Sequence, residues 1–180
     1  MYKKITIILI LAFSLIGIYF VAQQKGPKEA PIKKFLEKND PYIAFSLPSL
    51  KRGVIDTKKF KGKVIFINFW ATWCAPCKEE MPSMQALYDK LNKKYPNQFE
   101  MLAVNIDTQD VPLTVQMYVL DLKLNFPILL DTNGAIKTKY NTTGVPETFI
   151  VDKNGKIFKT YIGAVDWSNP KIQKDIESLF

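Results

Sequence analysis

The sequence contains no histidine and only two cysteines, Cys74 and Cys77, among its 180 residues. Each scarcity removes a class of chemistry. Without an imidazole there is no histidine general base and no serine or cysteine triad built on one. A structural zinc site draws four ligands mostly from Cys and His, and one pair cannot supply them. Covalent haem attachment needs His directly after the second cysteine, where Lys78 stands instead. Only two residues separate the cysteines, and so short a loop cannot staple a fold; the pair reads as reactive rather than structural. Acidic residues are also outnumbered, giving a formal net charge of +8. Half of that surplus lies in residues 1–40, which hold seven lysines against three acids. The rest is too scattered for a nucleic-acid footprint.

What is present organises the chain into three parts. Met1-Tyr2-Lys3-Lys4 precedes an unbroken apolar run from Ile5 to Ala22. The run has no polar face, so it does not suit a helix of a soluble domain, and it is long enough to span a membrane. A cut after Ala22 would put Phe20 where signal peptidase wants a small residue, which favours an uncleaved anchor over a cleaved signal. Lys3 and Lys4 argue for a cytoplasmic N-terminus, although Lys25, Lys28, Lys33 and Lys34 on the far side blunt that signal. Residues 23–40, with Pro27, Pro31 and several lysines, read as a linker, and residues 41–180 as the folded domain.

Within the domain the patterns alternate. Phe45–Leu50 and Val54–Thr57 suggest a hairpin turning near Gly53, and Val64–Trp70 is the continuous apolar run of a strand buried on both faces. A helix is expected from the Cys74–Cys77 turn to about Tyr95, bent at Pro82. Met101–Ile106 reads as a strand, Pro112–Leu122 as a helix, Phe126–Leu130 as a strand and Ala135–Tyr140 as a short helix. Thr148–Asp152 and Lys156–Ile162 flank the hairpin signal Lys153-Asn154-Gly155, and Asn169-Pro170 opens a last helix. The order predicts an α/β fold with a mixed sheet flanked by helices.

The setting of the cysteines sharpens the reading. A buried strand leading into the motif and a helix leaving it put Cys74 at a helix N-terminus, where unpaired N–H groups and the dipole favour thiolate. The thiolate is the attacking and leaving species in disulfide exchange. Cys77, one turn further in, would be shielded and act as the resolving thiol. Pro76 limits the freedom of the turn, and Trp70 and Trp73 are expected to wall the site, leaving Cys74 as the accessible sulfur.

Asn68-Phe69-Trp70-Ala71-Thr72-Trp73-Cys74-Ala75-Pro76-Cys77 resembles the active-site stretch of the thioredoxin superfamily, and more narrowly that of membrane-tethered TlpA/ResA/CcmG-type proteins. Gly144-Val145-Pro146-Glu147-Thr148-Phe149-Ile150-Val151-Asp152 is similar to the second signature of the family. The leading hairpin and the extra central helix also fit this subgroup. The resemblance implies a thioredoxin fold with Pro146 cis against the cysteine pair, and a Val145 backbone free to pair with an extended substrate. One departure matters: Asn68 stands where plain thioredoxins carry a buried acid. The resemblance moves that proton acceptor to Glu80, three residues after Cys77 on the same helix face, with Glu79 as a solvated first-turn acid. Glu147, beside Pro146, would tune the pair or contact the partner, as would Trp73.

The function implied is an extracytoplasmic dithiol that reduces protein disulfides, with apocytochrome c as the implied substrate and a membrane thiol protein as electron donor. No cofactor is needed, because the cysteine pair is the redox carrier, and no nucleic acid is involved. An oxidase or isomerase uses the same motif and differs only in potential. A copper-binding chaperone holding metal on Cys74 and Cys77 is the rival from another class; the lack of His, and of Met near the pair apart from Met81, counts against it. Nothing resembles a peroxidatic cysteine among Thr and Arg.

Overall fold

In the computed structural model the described residues are 35–108 and 111–180. The expected anchor, and residues 23–34 of the expected linker, lie outside them. Among the described residues no helix is long and apolar enough to cross a membrane.

Seven strands form one mixed sheet in the order β2-β1-β5-β4-β3-β6-β7. These are β1 (Ser46–Ser49), β2 (Gly53–Asp56), β3 (Val64–Trp70), β4 (Phe99–Asn105), β5 (Ile128–Leu130), β6 (Glu147–Val151) and β7 (Ile157–Ile162). The helices are α1 (Ala75–Lys94), α2 (Val111–Asp121), α3 (Ala135–Lys139) and α4 (Pro170–Glu177). The thioredoxin fold with a leading hairpin and a central helical insertion, α2, is as the sequence implied. Boundaries move by one to two residues at most ends, where terminal hydrogen bonds rather than apolar pattern decide. A 3₁₀ turn at Thr57–Phe60 has no counterpart in the pattern; Asp56 caps it by accepting from the Lys58 N–H at 3.0 Å.

β3 is central because it is buried on both faces. All seven of its residues are buried, pairing parallel to β4 and antiparallel to β6. Parallel neighbours need covering helices, and so β3 and β4 are buried along their whole length while β7, at the sheet edge, is mostly part-exposed. Aromatic rings fill the space beneath. Phe69 packs with Tyr140 and Phe149, and Phe66 lies edge-on to Trp167 at 4.6 Å. The Tyr140 hydroxyl donates to the Ile43 carbonyl at 2.7 Å, tying the segment before β1 to the end of α3. Asn39 and Tyr42 donate backbone N–H groups to Ile157 and Gly155.

Candidate active site

β3 ends at Trp70, and its last carbonyl accepts from the Ile106 N–H at 2.9 Å. The chain then makes one turn, Ala71–Trp73, before α1. The Thr72 N–H donates to the carboxylate of Asp107 at 3.2 Å, and the Asn105 amide donates to the same carboxylate at 3.0 Å. Asp107, buried just beyond β4, therefore fixes the approach to the cysteines. The sequence reading did not single it out; a lone acid after an apolar strand carries no local signal.

Cys74 is the N-cap of α1, with extended backbone angles, and its Sγ accepts the Cys77 N–H at 3.2 Å. A thiolate there sits on an unpaired helix N–H at the positive end of the dipole, which lowers its cost. The two sulfurs are joined as a disulfide. Cys77 is wholly buried and Cys74 is 5 % exposed, so what solvent reaches the pair meets Cys74. The tryptophans depart from expectation. Trp70 is fully buried, its ring tilted against Tyr118 at 5.1 Å, and so forms part of the floor; Trp73 projects outward, 70 % exposed. The strand pattern sends Trp70 inward, whereas Trp73 lies beyond the strand, where nothing packs over it.

The Val145–Pro146 peptide is cis, and the Val145 carbonyl lies 3.6 Å from Cys74 Sγ. In the disulfide that sulfur has no hydrogen to donate, so this is a packing contact. Pro146 is buried and its carbonyl is taken by the Gly163 N–H. Val145 is half-buried and its N–H has no backbone partner among the described residues. Glu147 follows as the first residue of β6, buried, and its carboxylate accepts from the Thr143 N–H at 3.2 Å. Burial raises its pKa, and the Thr143 bond offsets part of that.

Glu80 lies on α1 one turn beyond Cys77 and is 3 % exposed. Burial lifts its carboxyl from 4.5 to about 7 against three donors that favour the charge. Those donors are the Val165 N–H at 3.1 Å, the Asn68 amide at 2.9 Å and the Trp167 indole at 3.3 Å. Asn68, at the position where plain thioredoxins carry an acid, thus donates directly to the acid that the resemblance placed elsewhere. It also donates to Thr148 across the β3–β6 pair at 2.9 Å, leaving its own carbonyl oxygen without a partner. Trp167 and Val165 were not foreseen, since more than eighty residues separate them from Glu80. Glu79 is exposed, as expected of a solvated first-turn acid. A pocket of about 350 Å³ lined by Glu79, Glu80, Ser83 and Val165 opens beside the buried carboxylate.

The comparisons with known proteins agree with this geometry. The AhpC/TSA family matches residues 39–160. The thiol-disulfide oxidoreductase ResA of Bacillus thuringiensis subsp. konkukian (strain 97-27) is 35% identical over 166 residues, covering 89% of this chain and 86% of that protein. The thioredoxin-like protein YneN of Bacillus subtilis (strain 168) is 32% identical over 171 residues, covering 93% and 95%. Among solved structures, a candidate thiol:disulfide interchange protein DsbE from Chlorobium tepidum superposes with a TM-score of 0.72 at 28% identity, over 80% of this chain and 98% of that one. With a CxxC pair capping the helix that follows the central strand, the chain belongs to the AhpC/TSA family as a thioredoxin-like thiol–disulfide oxidoreductase of the TlpA/ResA/CcmG type.

Proposed function

We propose that this protein is an extracytoplasmic, membrane-anchored reductase of partner-protein disulfides that serves cytochrome c maturation. The observation that carries the reading is the placement of Cys74 beside Val145, in the segment just before β6, whose N–H has no backbone partner among the described residues and can pair with an extended polypeptide. Trp73, exposed next to Cys74, offers an apolar face to a protein segment rather than a small molecule, whereas Glu147 is buried behind Pro146 and bears on the site from within. The resemblance of the two signatures supports apocytochrome c as that segment. The apolar run Ile5–Ala22 supports a single anchor with residues 41–180 on the outer side.

In the reduced protein the Cys74 thiolate attacks one sulfur of the partner disulfide. The displaced sulfur leaves as a thiolate and takes a proton from water. Cys77 then passes its proton to the Glu80 carboxylate and attacks Cys74 Sγ, releasing the second partner sulfur, which recovers a proton. The partner gains two electrons and two protons, and the domain is left with the Cys74–Cys77 disulfide. A membrane thiol protein reverses that last change. A carboxyl near 7 both accepts and returns a proton at neutral pH, which is what the resolving step requires.

Cys77→Ala in the full chain removes the resolving sulfur, so partners accumulate as mixed disulfides on Cys74. Apocytochromes c, or a maturation factor carrying their thiols, together with a membrane donor, are the expected catch. A broad set of newly exported cysteine proteins with no donor would identify an oxidase. Few trapped proteins, with copper binding lost in the variant, would identify a chaperone.

A further inference from the structure

A surface cleft lies at the opposite end of β3 from the cysteines and takes no part in the exchange chemistry. It measures about 610 Å³ and is lined by Tyr42, Phe60 and Ile65, with Lys58, Lys61 and Lys63 around it. Lys63 stands just before the first residue of β3 and Trp70 is the last, so about 20 Å of strand separates the cleft from the redox site at ~3.3 Å per residue.

The cleft is built rather than accidental. Tyr42 lies against the α-carbon of Gly155, where a β-carbon would meet its ring at 3.5 Å, and its hydroxyl donates to the Thr57 carbonyl at 3.2 Å. Among the described residues Lys58 and Lys61 have no carboxylate within ion-pair distance. Lys63 lies 5.5 Å over the Phe60 ring, with Glu100 the acid whose charge it feels. Lys153 also lines the cleft but is engaged by Gln98 and the Phe180 carbonyl. The cleft's own acid, Asp152, is turned into the β6–β7 turn, accepting from the Asn154 and Lys156 N–H groups. An apolar floor beside two cations without a carboxylate partner among the described residues, Lys58 and Lys61, suits an amphiphilic anion. Pro41 and Tyr42 at its edge lie near the start of the folded domain, on the side of the sequence that leads back to the apolar run.

We propose that this cleft binds the phosphate-bearing headgroup of an anionic phospholipid and docks the base of the domain on the membrane, directing Cys74 away from the bilayer. The proposal rests on the anchored reading: tethering keeps the headgroups at high effective concentration, so a site of modest intrinsic affinity is filled.

The test uses the full chain with phosphatidylcholine vesicles, with or without phosphatidylglycerol. Flotation with pure phosphatidylcholine reports the anchor, and the acetylation rates of Lys58, Lys61 and Lys63 by mass spectrometry report the docking, with Lys78 at the far end as control. Phosphatidylglycerol is expected to protect the three lysines and not Lys78, and high salt to remove the protection. Equal rates in the two lipids overturn the docking. So does equal protection in phosphatidylcholine by soluble glycerol phosphate, which would identify a free phosphate ligand instead. If the chain does not float with phosphatidylcholine, the anchor fails separately. Flotation with phosphatidylglycerol is then the readout for docking, and the Lys58→Gln, Lys61→Gln, Lys63→Gln triple variant should weaken it on the order of 100-fold, at about fivefold per lysine. Flotation unchanged in that variant would overturn the cleft's role.

Discussion

Glu80 takes up a proton on folding, because its buried carboxyl titrates near 7 and an unfolded one near 4.5. Between those values the folded state holds a proton that the unfolded chain has released, so stability falls as pH rises through the window. Above about pH 7 the ionised group costs up to ~3 kcal/mol relative to the protonated fold, a difference of about 2.5 pKa units. Glu80→Gln should flatten this dependence. Its amide oxygen can keep the Val165 and Trp167 donors. Its amide nitrogen can donate to Asn68 once the Asn68 amide turns over, bringing its orphan oxygen to face residue 80 and the Thr148 hydroxyl in place of the NH2. Urea unfolding of the oxidised protein at pH 5 and pH 8 measures it. A wild-type loss on going to pH 8 that the variant repeats in full would remove Glu80 as the titrating group. Glu147 shifts in the same direction and supplies a residual slope in both proteins.

At the scale of elements, the site depends on how the ends of β3 and β4 are joined to α1. The helix supplies a thiolate-favouring terminus only if Cys74 is held as its N-cap, and Asp107 sets the turn before it through Thr72. Asp107→Ala removes the acceptor of the Thr72 N–H and of the Asn105 amide, both in a water-poor region. A loss of about 1–3 kcal/mol in denaturant unfolding is expected, as for a hydrogen bond to a charged group whose partners are left unsatisfied. Reduced Cys74 in the variant should also alkylate more slowly at neutral pH, since a misplaced cap loses part of its thiolate stabilisation. Unchanged stability and alkylation would show that the turn holds itself.

For the whole molecule, the sheet brings together parts of the chain with no local reason to meet. Tyr140 joins them at one point, its ring against Phe45, Phe69 and Phe149 and its hydroxyl on the Ile43 carbonyl. Tyr140→Phe keeps the ring contacts and leaves that carbonyl without its donor. The expected cost is about 1–2 kcal/mol, which lowers the melting temperature by roughly 2–8 °C in a chain of this size. Calorimetry of the oxidised protein checks it, and an unaltered melting temperature would mean that water replaces the phenol.

Local rules determined a good deal of this protein from sequence alone. Cys74 as a helix cap, Asn169 as another, the doubly buried β3 and the turn at Asn154-Gly155 all follow from short-range hydrogen bonding and apolar pattern, which span a few residues. The family resemblance pointed to Glu80, and the helical spacing from Cys77 made it plausible. Its surroundings were settled only by tertiary structure. Asn68 meets Glu80 because β3 packs under α1, and Val165 and Trp167 arrive from beyond β7 to donate to the same carboxylate. Trp70 and Trp73, three residues apart with the same side chain, end in opposite environments because one belongs to the strand and the other to the turn after it. Burial is a property of everything that packs around a residue. The pKa of Glu80, the exposure of each sulfur and the lysine-lined cleft at the far end of β3 were therefore decided by contacts between distant segments, which no local pattern encodes.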